Sequence, residues 1–445
     1  MRNTCCNSRD DAYTVARQGS LGRGFGIGGY RGRRALQQYG WHLPCEEAVR
    51  ERIGKRAIGG LFAALLVVLL LAEKRLQGST EQEKSATHAP KFQVNPLWPL
   101  PLMNHWVLGS VTGVTVDAED HIWVLQQGAD SLGANEKGAI LVPPTGCCEP
   151  APLILEFDAA GKLMASWSGS GEDYEYPLSP GGIAVDSRGD VWIAATGEPA
   201  PVIGFGPRPA KPAPPGDAEV LEFSSVGRVL LKIGGKKADQ DSKLEGPLAV
   251  SVDSAAGEVY VADSGNRRIA VFDAATGAFK RQWGAYGEKP EGGNLAPYSP
   301  SAEPAKQFRS ANCAAIAKDG LVYVCDRQGN RIQVFHKDGT YLKEAIVSKA
   351  TLGEGSVWDI AFSSDPQQQF LYVADGQDKN ILILDRNSLE TIASFGQGGR
   401  YPGEFYAVGS VAVDSKGNIY TGETSEGKRV QKFVHLLAAS RAQGH

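Results

Sequence analysis

The chain has no Cys-x-x-Cys pair among its seven cysteines, and seven are too few to scaffold 445 residues by disulfides, so zinc-ribbon, thioredoxin-type and disulfide-framework readings fall away. Basic stripes are missing as well. Lys and Arg number 46 against 50 Asp and Glu with the signs intermixed, and a net charge of −4 leaves no surface of the kind that neutralises phosphates, so nucleic acid is not an expected partner. No G-x-S-x-G, H-E-x-x-H, P-loop or EF-hand spacing occurs, which removes the geometry of serine-hydrolase, zincin, nucleotide and EF-hand chemistry. Gly24-Phe25-Gly26-Ile27-Gly28-Gly29 spells G-x-G-x-x-G, but no strand pattern leads into it and no helix pattern leaves it, so the phosphate-cradling context is absent.

Long apolar runs are scarce too. Ile58–Ala72 is one of about fifteen residues, between the roughly 7–15 of a signal-peptide core and the roughly 17–25 of a spanning helix. Arg50, Arg52, Lys55 and Arg56 precede it and would stay cytoplasmic by the positive-inside tendency, sending everything after residue 75 across the membrane. Ala72-Glu73-Lys74-Arg75 offers no small-x-small cleavage site, which favours an uncleaved anchor over a removed signal. Residues 1–57, polar and without periodicity, read as a disordered leader, and 73–94 as a polar tether. The expected location is extracytoplasmic, periplasmic or cell-surface, whether anchored or secreted.

What the chain has in quantity is glycine, 54 residues, with 25 prolines, a composition suited to short strands and tight turns. A phrase of the form apolar-x-Val-Asp-x-x-Gly-x-apolar-Tyr/Trp recurs in GVTVDAEDHIWVLQQ from Gly113, GIAVDSRGDVWIAAT from Gly182 and AVSVDSAAGEVYVAD from Ala249. Looser copies follow in CAAIAKDGLVYVCD from Cys313, DIAFSSDPQQQFLYVAD from Asp359 and SVAVDSKGNIYTGE from Ser410. Each alternates apolar and polar residues about a turn, which is a β-hairpin, and most are followed by two further strand-like runs. Four strands per unit and six units give an all-β, six-bladed β-propeller over residues 95–440. The last unit supplies only three strands. Asn104–Gly109 reads like the outer strands KRQWG and ASWSG, so it is expected to complete the final blade and close the ring. Insertions at about 129–150, 198–216 and 285–306 interrupt the spacing and are candidate binding loops.

The runs from Ala262 to Phe272 (ADSGNRRIAVF) and from Cys325 to Phe335 (CDRQGNRIQVF), with a degenerate copy from Ala374 to Ile381 (ADGQDKNI), resemble the signature of NHL repeats. Within that family the chain is similar, distantly, to peptidyl-α-hydroxyglycine α-amidating lyases. The resemblance implies a zinc held by histidines at the start of three inner strands, with an Arg in the first blade and a Tyr after an Asp-Gly pair. Here the six ring positions are Thr112, Gly181, Leu248, Asn312, Trp358 and Gly409, and none is histidine. Gly181, Asn312 and Gly409 stand at the metal positions, Gln127 near the Arg position and Ser264-Gly265 at the Tyr position. Zinc needs three or four N, S or carboxylate ligands, so no zinc site and no other cofactor is expected.

The axial-rim binding candidates are therefore Thr112, Gln127, Asn312, Trp358 and Asp359. Cys313 and Cys325 fall opposite each other about Asp319, close enough for a disulfide or for two packed thiols. Cys147 and Cys148 are adjacent in the first insertion, open to redox, soft-metal or pairing roles. His105 sits on the expected closing strand, His121 in a turn, and His435 and His445 in the tail. Asp117, Asp186, Asp253 and Asp414 close inner turns, and Arg267, Arg268 and Arg331 tie blades together through carbonyls or Asp263 and Asp326. Two functional readings follow: a scaffold that binds a protein, peptide or small molecule at one end of the ring, or a lyase-like enzyme with altered ligands.

Overall fold

A computed structural model describes residues 89–141, 143–168, 179–197, 216 and 218–436. The expected anchor, 58–72, and the leader before it lie outside the described residues. Among the described residues no helix is long and apolar enough to cross a membrane.

The repeats fold as six four-stranded antiparallel sheets. Blade 1 is built from Val111–Val116, Ile122–Gln126, Ile154–Phe157 and Leu163–Trp167, and blade 2 from Pro180–Val185, Val191–Ala195, Glu219–Phe223 and Val229–Gly234. Blade 3 runs from Pro247–Asp253 to Phe279–Trp283, blade 4 from Ala311–Ile316 to Tyr341–Ile346, and blade 5 from Asp359–Phe362 to Thr391–Phe395. Second strands such as Glu258–Asp263 and Val322–Asp326 are buried throughout, because a sheet packed on both faces needs apolar residues at every position. Outer strands such as Phe279–Trp283 are only partly covered.

The apolar core is divided among the gaps between blades. Leu125, Ile154, Ile193 and Phe223 fill the seam of blades 1 and 2, and Trp192, Phe272 and Val261 that of blades 2 and 3. Val111, Phe157, Tyr420 and Val430 join blade 1 to blade 6, which shows the ring closed.

Blade 6 consists of Val408–Val413, Ile419–Glu423, Arg429–Leu436 and an outer strand from the N-terminal side, so closure by an earlier segment holds but its identity does not. The outer strand is Lys91–Asn95, paired antiparallel with Lys432–Leu436, and the propeller accordingly opens at Lys91. The reason is alternation: Phe92 and Val94 point inward together, and the Phe92 ring lies 5.5 Å from Tyr372 and 5.2 Å from Phe395. Asn104–Gly109 does something else. Met103–His105 forms a 3-10 turn, and Trp106–Val107 pairs in parallel with Glu149–Pro150 at the end of the first insertion. His435 is no tail residue either, but lies in the third strand of blade 6, against Phe92 at 5.5 Å.

Antiparallel order fixes which end each loop occupies. The loops joining second to third strands, and those joining one blade to the next, emerge where the inner strands begin. The first and third insertions are loops of these kinds, so they share one end of the ring with the six ring positions, while the second, 198–216, lies almost wholly outside the described residues. Lys428, in the blade 6 loop there, reaches Glu136 of the first insertion at 2.7 Å, and Tyr298 of the third donates its hydroxyl to the Lys349 carbonyl at 2.8 Å. The opposite end is closed by the turn aspartates: Asp117 accepts the Glu119 and His121 amides and the Trp123 indole, and Asp414 the Lys416 and Asn418 amides.

Candidate functional site

Five of the six ring positions sit on β-bulges, all but Trp358. In blade 1 the pairing steps from Val111↔Gln126 to Gly113↔Leu125, leaving Thr112 unpaired, and the same step leaves out Leu248, Asn312 and Gly409. A bulge turns one extra residue out of the ladder, and here it aims that residue at the ring axis. In blade 2 the step from Pro180 to Ile183 places Gly181 at the same point. A side chain has no room there: a Cβ on Gly181 would come within 2.6 Å of the Leu248 carbonyl oxygen. One of the three metal positions of the amidating lyases is thus closed by the next strand's backbone.

Along the axis lies a cavity of about 320 Å³, lined by residues of all six inner strands, among them Thr112, Leu248, Asn312, Trp358, Asp359 and Gly409. Asp359 is its lone ionisable group among the described residues, since Cys313 is bonded to Cys325 across the hairpin with Cα atoms 4.9 Å apart. The Asp359 carboxylate accepts the Ile360 amide at 2.8 Å and the Val411 amide at 3.0 Å, bridging blades 5 and 6. Burial without a neighbouring cation pushes its carboxyl up to about 7. The Thr112 and Ser410 hydroxyls are buried without a hydrogen-bond partner among the described residues. Asn312 is committed, donating its amide to the Trp358 carbonyl. The channel therefore offers one acid and free hydroxyls against otherwise neutral walls.

Trp358 is covered rather than offered to ligand. Its indole donates to the Gly355 carbonyl at 2.7 Å and packs beside Gly376 and Gly409, while the Arg327 guanidinium lies over the ring at 3.5 Å. Arg327 reaches the Glu354 carbonyl at 2.9 Å and its carboxylate at 2.8 Å, and burial pushes its pKa down to about 10. Sequence reasoning missed Arg327; its one signal is that a cation follows Asp326 where blades 3 and 5 have Ser264 and Gly376. Gln127 does not line the cavity. Its backbone amide donates to the Ser110 carbonyl, and its neighbour Gln126 makes the buried contacts.

Cys147 and Cys148 are bonded to each other in the first insertion. His121 is not a lone turn residue: its Nδ1 stands 3.0 Å from Glu156 and 3.4 Å from Asp117, a trio that could hold a metal, at the end of the ring opposite the insertions. The matching trio of blade 2, Asp186, Asp190 and Glu222, is occupied by the Arg188 guanidinium.

Arg268 meets Asp263 at 2.7 Å and the Lys243 carbonyl at 2.6 Å, and Arg331 meets Asp326 at 2.8 Å and the Gln307 carbonyl at 3.0 Å. This pin ties strand two, strand three and the incoming loop, and residues 244–272, which contain the first copy, match the NHL repeat. The chain is a six-bladed β-propeller that carries an NHL repeat. No curated protein matches it. Solved structures similar to this propeller include a catalytically inactive virginiamycin B lyase from Staphylococcus aureus with quinupristin, 14% identical over 78% of this chain and 89% of that one, with a TM-score of 0.41. A streptogramin B lyase is 10% identical over 78% and 98% of the two chains, with a TM-score of 0.44.

Proposed function

We propose that this NHL propeller is an extracytoplasmic binding scaffold, tethered or secreted through residues 58–72, that takes an amine-bearing peptide or small molecule at the insertion end of its ring. The observation that carries this reading is Asp359, a single acid in a neutral axial cavity whose inner strands begin at the end of the ring that bears the first and third insertions. Above its titration point near 7 the carboxylate attracts a cationic group and finds no protein cation to satisfy it. Exposed apolar side chains on the loops of the same end, Ile140 at 53%, Leu352 at 59% and Tyr401 at 77%, suit the side chains of a peptide better than a fully polar solute. The zinc chemistry of the amidating lyases is not carried over, because Gly181 and Gly409 bear no side-chain ligand atom and the one amide oxygen of Asn312 falls short of the three or four ligands that zinc needs.

Thermal unfolding of the full chain at pH 8 with lysine tripeptides and their fully acetylated forms tests the binding reading: the amine forms raise the midpoint and the acetylated forms leave it unchanged. Equal shifts, or none, overturn it. Proteinase added to cells whose outer envelope has been opened but whose inner membrane is intact should remove the propeller, whereas protection until the inner membrane is lysed contradicts the location.

Asp359 also favours a second reading. A carboxyl poised near neutrality is suited to general acid–base work, which would fit a lyase-like enzyme with altered ligands. Stoichiometric zinc or calcium in the purified chain, with turnover of α-hydroxyglycine peptides, would decide for it.

A further inference from the structure

The acid-and-cation pin of the repeat recurs as a cross-strand pair in four blades, Asp263↔Arg268, Asp326↔Arg331, Asp375↔Asn380 and Glu423↔Arg429. Three of these pair a carboxylate with a guanidinium. Blade 5 does not. Asp375 is 0% exposed like Asp263 and Asp326, yet its cross-strand partner is Asn380, an amide that carries no charge. The Asp375 Oδ1 accepts the Asp378 amide at 2.9 Å, but its Oδ2 is buried with no hydrogen-bond partner among the described residues, and so is the Asn380 Oδ1.

More oxygen surrounds the pair. The Asp378 carboxyl and the Ser348 hydroxyl both lie against the Asp375 carboxylate, and Thr351 bonds the other side of Asp378. Asp378 is exposed, so the cluster opens to solvent through the 376–379 turn. Two carboxylates, an amide oxygen and a hydroxyl form a donor set of hard oxygens, which suits a Ca²⁺-like cation and neither zinc nor copper.

We propose that blade 5 binds a hard divalent cation, Ca²⁺ in kind, through Asp375 Oδ2, Asn380 Oδ1 and the Asp378 carboxylate, at the place where the other blades put a guanidinium. The ion ties the second and third strands of blade 5 as arginine does in blades 3, 4 and 6.

The test is thermal unfolding and bound-calcium analysis of the full chain at pH 8, in chelator and in about 1 mM Ca²⁺, the range of extracellular sites. The wild type should bind one further Ca²⁺ relative to Asn380→Arg and gain stability from it. Asn380→Arg, which restores the guanidinium, should unfold higher than wild type in chelator and ignore Ca²⁺. Asp378→Asn, an exposed change that leaves the core intact, should weaken the Ca²⁺ response about tenfold or more. A wild type indifferent to Ca²⁺, as a protonated Asp375 or an Asp375–Asn380 hydrogen bond would leave it, overturns the proposal. So does a Ca²⁺ response in Asn380→Arg and Asp378→Asn as large as that of the wild type, which would place the ion elsewhere.

Discussion

Blades 4 and 5 share a plan and a hydrophobic seam, in which Cys325, Ile332 and Val334 of one pack with Val373, Leu382 and Leu384 of the other. Their buried acids fare differently. In blade 4, Asp326 receives the Arg331 guanidinium and the Arg309 and Ser310 amides, so both oxygens are engaged. In blade 5, Asp375 keeps one oxygen unpartnered, opposite an amide that presents another acceptor. Both acids are fully buried, so the difference lies in what faces them, a guanidinium in one blade and an amide in the other. A repeat conserves its pin by geometry, and where the cation is replaced the same geometry becomes a place that asks for one.

The largest break in that comparison is expected from Arg331→Ala, which strands Asp326 in the core and should cost about 3–5 kcal/mol in denaturant unfolding. Asn380→Ala in blade 5, measured in chelator, should cost no more than about 1 kcal/mol, because it removes no charge pair. Equal losses would show that the two blades do not differ as described.

Acid dependence sharpens the contrast further. In chelator the Asp375 and Asp359 carboxyls hold their protons in the fold up to about 7, while an unfolded aspartate loses its proton near about 3.9. The native chain therefore binds more protons between those values, and stability should fall by on the order of a few kcal/mol as pH rises from about 4 to 7, then level off. Asp375→Asn should flatten part of that slope. Glu258 moves the other way: hydrogen bonds from Arg281 hold it down to about 2, so its contribution is complete above about pH 4.3 and fades as pH drops toward 2. Urea midpoints across pH 3–8 in the two variants Asp375→Asn and Glu258→Gln check both limbs.

Gly181→Ala should cost about 1–3 kcal/mol, less than Arg331→Ala, because the added methyl meets the Leu248 carbonyl. Gly181→His should create no zinc site for the same reason, as metal analysis would show.

The fold was legible because its signal is local. Each hairpin states its period in the Val-Asp turn and the apolar second strand, and six copies leave few alternatives to a ring. The bulged ring residues were readable for a similar reason, since they stand at a fixed offset before each phrase. The closing strand was not, because resemblance to other outer strands drew attention to Asn104–Gly109, whereas the deciding feature is how Phe92 and Val94 pack against blades 5 and 6. Arg327 over Trp358 and the unpartnered oxygens of Asp375 and Asn380 depend on contacts between loops and strands that spacing does not encode. Chain order likewise gives no hint that the first and third insertions, far apart in sequence, share one end until the antiparallel topology is followed round.

Calorimetric titration of a lysine tripeptide into the full chain and into Asp359→Asn tests the axial carboxylate most directly. The wild type should bind at pH 8 and weaken toward pH 5.5 as Asp359 gains its proton, while Asp359→Asn should not bind at either pH. Undiminished binding by Asp359→Asn, or affinity indifferent to pH, would contradict the account.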